Sequence, residues 1–366
     1  MSVCSPESAQ DAVKYFAIEG DLRSLTPFHR GHIHDTYISA WETDGAIRRY
    51  LHQRLNRHVF QDIAGLMHNI EHVVAHLERK LANSDEPDFR VLRLIPTVDG
   101  DTWSANESGA WRTYEYIENT IAHDACEGTD EAYQAARAFG RFQYHLRDLD
   151  VEALHETIPN FFSSPFRLRQ LQEAIAQDKA DRVSEVEPEI RFVRERLEMV
   201  DVIDDHLRKG SFPRRIVHGD TKLNNVLFDR DTGRAVSVVD LDTCMAGWTL
   251  YDFGDLVRFT AASCAEDEPD LGRAGVNLDL YRALVDGYLE GSDGTLTAVE
   301  RELMPFAARL VTFTLGLRFL ADHLAGDTYF KVARDGHNLD RARVQFRMVE
   351  RMEELESSMR VGTERL

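Results

Sequence analysis

Asp220, Asn225 and Asp240 are the residues of this chain whose types and spacing can do chemistry. They lie in IVHGDTKLNNVLFDRDTGRAVSVVDLDTCMAGWTLYDFGD, residues 216–255. The apolar pair Ile216 and Val217 gives way to His218, Gly219 and Asp220; five residues later comes Asn225, then Val226, Leu227 and Phe228. After the polar turn DRDTGR, the strand-like run 236–239 ends on Asp240. A D-x-x-x-x-N loop followed by an Asp at a strand end is the layout of a phosphoryl-transfer site. That chemistry asks the protein for positioning and for stabilisation of charge. Asp220 is the candidate to accept the hydrogen bond of the attacking hydroxyl. Asn225 and Asp240 offer oxygen donors to Mg2+, a hard cation. Asp242 projects to the same face if strand geometry continues, and there it would touch metal or substrate, or else cap the next turn. His218, Asp252 and Asp255 read as braces of the loop.

The elements that must position this loop follow from periodicity. Residues 6–19 read as a short helix stopped by Gly20. Strand patterns follow at 22–26, 34–41 and 48–55, with turns at HRGH and ETDG. Gly31 and His32 fall in the first of these turns, where a nucleotide loop would lie. Residues 61–82 place Ile63, Leu66, Met67, Ile70, Val73, Val74 and Leu77 at helical spacing, and Glu71 sits mid-helix beside that stripe. Runs 89–98 and 110–118 bring the expected sheet to about five strands. From 119 onward helical patterns dominate, at 129–149, 166–180, 185–208, 276–290, 297–325 and 338–360. A β-rich lobe, a short connection and a helical lobe carrying the catalytic loop resemble the bilobal plan of protein kinases. The expected fold is therefore α+β, with lobes at 1–118 and 119–366. Tyr116, Ile117 and Glu118 would form the hinge whose backbone binds adenine, and Glu71 would hold the ion-pairing position of the kinase helix.

The bulk numbers set limits. With 366 residues the chain is too long for one ordinary core, so two lobes are expected. It is 43% hydrophobic and 29% charged, without low-complexity tracts. A net charge of −20 argues against nucleic acid or an anionic membrane as partner. The first ten residues lack the pattern of a signal peptide, and no window of 18 residues is free of charge, so a cytoplasmic protein without a membrane span is expected. The four cysteines are scattered, which suits reduced thiols and offers no zinc site.

HGDTKLNN at 218–225 with DLDT at 240–243 and YDFGD at 251–255 resembles the aminoglycoside phosphotransferase and choline kinase superfamily. More narrowly, the chain resembles bacterial N-acetylhexosamine 1-kinases. That resemblance runs nearly end to end through GHIHDTY at 31–37, NIE at 69–71, WRTYEYIE at 111–118, RFLADHLAGDTYF at 318–330 and HNL at 337–339. It implies ATP and Mg2+ as cofactors and phosphorylation of the anomeric hydroxyl of a 2-acetamido hexose such as GlcNAc or GalNAc. It also implies that Arg318 and Tyr329 bind the sugar with Asp220, alongside Thr221, Lys222 and Asp242. Read without it, Arg318 pairs with Asp322 at i+4 and Tyr329 packs in a core. One departure is the strand that carries a phosphate-pairing Lys in most kinases: it reads YLHQRLN, with Gln53 in that place. A neutral amide cannot supply the charge, which then falls to magnesium with Arg54, His32 or His34, and Glu71 becomes a hydrogen-bond partner for Gln53. Other readings are a kinase of choline, an aminoglycoside or another sugar, and a nucleotide-binding module without catalysis.

Overall fold

The structure, a computed structural model, describes residues 6–29, 33–84, 86 and 88–361. The chain opens with α1 (Pro6–Val13), β1 (Asp21–Pro27), β2 (Asp35–Thr43), β3 (Ala46–Arg54), α2 (Ile63–Leu81), β4 (Trp103–Asn106) and β5 (Gly109–Glu115). The strands form one antiparallel sheet in the order β1-β2-β3-β5-β4. Asp44 and Gly45, with φ of 53° and 78°, make the two-residue turn between β2 and β3, a conformation that matches the twist of a hairpin. Asp62 caps α2 by accepting the Gly65 N–H at 2.8 Å, and the expected apolar stripe of α2 is buried throughout.

Five strands were expected, but not these five. Residues 89–98 do not form a strand. Pro96 has no N–H to give to a ladder, and the segment touches the sheet through single bonds, Ile95 N–H to Thr113 O at 2.9 Å and Glu115 N–H to Arg93 O at 2.9 Å. The fifth strand is β4, a short polar WSAN run with weak alternation.

The helical part follows β6 (Thr120–Ile121). It holds α3 (Thr129–Leu146), α4 (Ser164–Gln177), α5 (Glu187–Arg194), α6 (Val202–Arg208), β7 (Arg215–Val217), β8 (Val226–Asp229), β9 (Ala235–Val238) and β10 (Met245–Gly247). It ends with α7 (Thr249–Thr260), α8 (Leu278–Ser292), α9 (Ala298–Glu302), α10 (Met304–Leu324), α11 (His337–Glu354) and α12 (Glu356–Arg360). The helix expected over 185–208 is α5 and α6 separated by a 3-10 turn, Leu197–Met199. The one expected over 297–325 is two helices: α9 starts on a capping box of Thr297 and Glu300, and α10 restarts with Pro305 in its first turn, the place in a helix where Pro is tolerated.

Helices α3 and α8 approach closely at glycines: a Cβ on Gly287 would lie 2.2 Å from the Tyr133 carbonyl oxygen. Helix α10 is long and apolar enough to cross a membrane by length and composition, yet 72% of its apolar window is buried inside the protein. It is the central core helix. Two small sheets, β7 with β10 and β6-β8-β9, frame the loop that carries Asp220.

Candidate active site

Strand β7 delivers His218, Gly219 and Asp220 to the junction of the two parts. Gly219 has φ of 84° and a Cβ there would lie 2.9 Å from both the Phe162 ring and the Thr243 carbonyl oxygen, so this turn requires glycine. Asp252, on α7, gathers the loop: its Oδ2 accepts the His218 N–H at 2.8 Å and Gln143 Nε2 at 2.7 Å, and its Oδ1 accepts the Gly219 N–H at 2.8 Å. The His218 ring is fixed at both nitrogens. Its Nε2 donates to Val239 O at 2.9 Å and its Nδ1 accepts the Asp220 N–H at 3.3 Å. A ring committed in this way has no nitrogen left to transfer protons.

Asp220 remains partly accessible. The Lys222 ammonium lies 2.7 Å from its Oδ1. Burial works to raise the Asp220 carboxyl, and Lys222 outweighs it, so the group is held below its ordinary value. Asn225 donates through Nδ2 to Asp220 O at 2.8 Å and to Asp220 Oδ2 at 3.3 Å. That orients its carboxamide oxygen as the acceptor left over. Asp240 sits in the left-handed region, φ 64° and ψ 62°, where a non-glycine residue carries strain typical of functional loops. Its carboxyl is pushed up to about 7, first by its low-dielectric surroundings and then by the charges of Asp242 and Asp220. A concentration of negative charge with one amide and one carboxylate oxygen suits a divalent cation that takes its other ligands from phosphates. No group of three or more His, Cys, Asp or Glu forms a closed metal cage among the described residues.

Asp242 is bound by the sheet lobe. It is 3% exposed, and both of its oxygens are engaged by the sheet. Arg112 grips it in a bidentate pair, with Nη2 to Oδ2 at 2.9 Å, and His34 Nε2 bonds Oδ2. Burial would raise this carboxyl, but Arg112 and His34 hold it well below the carboxylate range. The His34 Nδ1 accepts the Asn56 N–H at 3.0 Å, which leaves Nε2 as the protonated nitrogen facing Asp242. Arg112, 1% exposed, also donates to Gln53 Oε1 from Nε at 2.9 Å and from Nη2 at 2.7 Å. Reading the sequence for a lysine on β3 missed this arginine on the neighbouring strand. The available signal was alternation, which places Arg112 on the same face of β5 as the core residues Ala110 and Tyr114.

The remaining expected positions divide. Glu71 hydrogen bonds Thr102 rather than Gln53. Helix α2 reaches the helical part through Asn69 instead, whose amide donates to Cys244 O at 3.1 Å and to His155 O at 2.8 Å and accepts the His155 N–H at 2.8 Å. Thr221 is fully buried, donating to Asp252 O at 2.6 Å and through its N–H to Asp255 at 3.1 Å, and so braces the loop. Arg54 pairs with Asp35, Nε to Oδ2 at 2.7 Å, so it is not held for phosphates. Tyr116 donates its N–H to Arg49 O at 3.1 Å, and Glu118 pairs with Arg49 through both carboxylate oxygens. Ile117 O accepts the Thr120 hydroxyl at 2.7 Å. Gly31 and His32 lie outside the described residues.

Arg318 and Tyr329 meet. The Arg318 guanidinium lies 5.7 Å from the Tyr329 ring, 5.3 Å from Phe330 and 5.7 Å from Phe161. The i+4 pair with Asp322 does not form. Asp322 instead accepts the N–H groups of Thr328, Tyr329 and Phe330 at 2.9, 2.8 and 2.9 Å, which shapes the turn that presents Tyr329, 67% exposed. Beside this box Arg167, which the sequence reading overlooked, bonds Gln170 Oε1 at 2.8 Å and Phe161 O at 3.5 Å, with its buried Nε unpartnered. Burial and then the Arg318 charge lower its pKa to about 10.

The family model of the APH phosphotransferase enzyme family matches residues 24–285. The chain belongs to this family. Solved structures agree in fold. An aminoglycoside phosphotransferase from Alicyclobacillus acidocaldarius aligns with a TM-score of 0.64 at 15% identity, covering 98% of this chain and 96% of that one. A microcompartment-associated aminopropanol kinase aligns at 0.59 and 19% identity, covering 98% and 99%. A spectinomycin phosphotransferase in complex with ADP and spectinomycin aligns at 0.56 and 11%, covering 92% and 95%. This chain is thus a phosphotransferase by family, with a β-sheet lobe and a helical part of protein-kinase-like architecture.

Proposed function

We propose that this phosphotransferase uses ATP and magnesium to phosphorylate the anomeric hydroxyl of an N-acetylhexosamine. The observation that carries the acceptor class is Arg318, boxed by Phe161, Tyr329 and Phe330, with no ion-pair partner among the described residues and with Arg167 beside it. Two guanidiniums without a carboxylate repel a cationic acceptor. They favour a neutral one rich in carbonyl and hydroxyl oxygens, and the exposed Tyr329 ring offers a face to the C–H side of a sugar.

In this reading Asp220 accepts the hydrogen bond of the attacking hydroxyl and takes its proton as the new oxygen–phosphorus bond forms and the bond from the γ-phosphorus to the β–γ bridging oxygen breaks, releasing ADP. Lys222 keeps that carboxylate ionised, and its low pKa suits a transition state in which the proton leaves late. Asn225 and Asp240 would hold magnesium, which would supply positive charge to offset that of the phosphates. The backbone at 116–118 would receive adenine.

The test is an ADP-release screen over N-acetylhexosamines, free hexosamines, choline and kanamycin, with phosphorus NMR of the product. Turnover confined to choline or kanamycin would sink the sugar reading. Phosphorylation of the methyl glycoside of the best sugar would sink the anomeric assignment.

A further inference from the structure

We infer that Arg112 is the cation that stands in for the missing strand lysine, acting through Gln53 toward the nucleotide phosphates and through Asp242 toward the metal-binding loop. This rests on the nucleotide-binding reading of the cleft and not on which acceptor is phosphorylated.

Strand register pairs Gln53 of β3 directly with Arg112 of β5, and both lie on the sheet face shared with Leu51, Ala110 and Tyr114, which packs on α2. Arginine only donates, so the two bonds from Arg112 must go to the Gln53 carbonyl oxygen, and the amide orientation is settled by chemistry. The Gln53 Nε2 group, half-buried, then has two N–H donors with no hydrogen bond among the described residues. A lysine would deliver charge and donor in one group. Here the charge sits one strand back, on a guanidinium that cannot lose its proton, and the donor is an amide polarised by it. Chains of hydrogen bonds strengthen one another in a low-dielectric interior.

The other face of Arg112 grips Asp242 across 130 residues of sequence. With His34 it fixes a carboxylate two residues from Asp240 on the loop whose 3-10 turn begins there. The sheet lobe therefore sets the position of the metal-binding turn through a buried ion pair. Glu71, engaged by Thr102, plays no part in this chain, so the helix glutamate and strand lysine pair of other kinases is replaced by an Asp242–Arg112–Gln53 line. Arg112 is a positioning residue and touches neither reacting atom.

The test uses the full-length protein and reads ADP·Mg2+ affinity by calorimetry together with the melting temperature of the free protein. Gln53→Glu keeps the size and gives Arg112 a stronger acceptor, but it replaces the donor by a negative charge. Its melting temperature should equal or exceed that of the wild type, while ADP·Mg2+ binds about 100-fold more weakly. Arg112→Lys keeps a charge without the fork and should bind about tenfold more weakly. Arg112→Met, examined at low temperature, should bind more weakly than either. Gln53→Glu binding ADP·Mg2+ within about threefold of wild type would overturn the inference even if Arg112→Met fails to fold. A wild-type protein that binds no ADP·Mg2+ would overturn the nucleotide reading itself, whereas failure of the sugar screen alone leaves this test intact.

Discussion

His52 makes the stability of the sheet depend on pH in a way that can be calculated. It is 0% exposed in the middle of β3, with Nε2 2.7 Å from Ser39 Oγ and Nδ1 2.8 Å from Thr113 Oγ1. Burial lowers its pKa to about 3 from an ordinary 6.5. The unfolded chain therefore binds a proton between these values that the folded chain refuses. Stability is fully present above about 6.5 and is lost as pH falls toward 3, at about 1.4 kcal/mol per unit once well below 6.5. From pH 7.5 to 5.5 this single group removes about 1.4 kcal/mol. The perturbation is His52→Gln, which retains hydrogen bonding and cannot titrate. Urea unfolding followed by tryptophan fluorescence is the assay, because Trp41, Trp103 and Trp111 all lie in this sheet. Other groups also titrate, so the quantity of interest is the difference between the two proteins: the variant should lose about 1.4 kcal/mol less over this interval. Parallel pH dependences would show that His52 is not held neutral and would refute the argument.

Three further outcomes are expected. Asp220→Asn should lower kcat by about 10²–10⁴, the range for a positioned proton acceptor, while ADP affinity by calorimetry stays near the wild-type value; retained turnover would remove Asp220 from its role. Arg318→Ala should raise KM for the acceptor by about tenfold, near the worth of one charge-assisted hydrogen bond, without changing KM for ATP; an unchanged acceptor KM would place the sugar elsewhere. Gly287→Ala forces a methyl against the Tyr133 carbonyl oxygen and should cost about 1–3 kcal/mol of unfolding free energy, measured by urea titration, and a neutral result would mean that α3 and α8 can move apart freely.

That Asp220, Asn225 and Asp240 come together was legible because the information is local. Asp220 and Asn225 are separated by one turn of loop, Asp240 follows a short hairpin, and spacing alone brings such residues together. The stripe of α2 was legible for a similar reason, since seven apolar residues at helical spacing have one way to be buried. Residues 89–98 misled because an apolar run specifies burial and not a ladder, and Pro96 decides between them only where the neighbouring strand is known.

What the sequence could not give are contacts between positions far apart. Asp242 appeared free to meet a substrate until Arg112 and His34 arrived from the other lobe to occupy both of its oxygens. The alternative pairing of Arg318 with Asp322, four residues away, is not made, because Asp322 accepts the N–H groups of the following turn instead. The local pattern thus determined the reaction, because a phosphoryl-transfer loop is a short motif. The tertiary structure decided where the charges go, because a carboxylate pairs with whichever cation the packing brings closest, however distant it is along the chain.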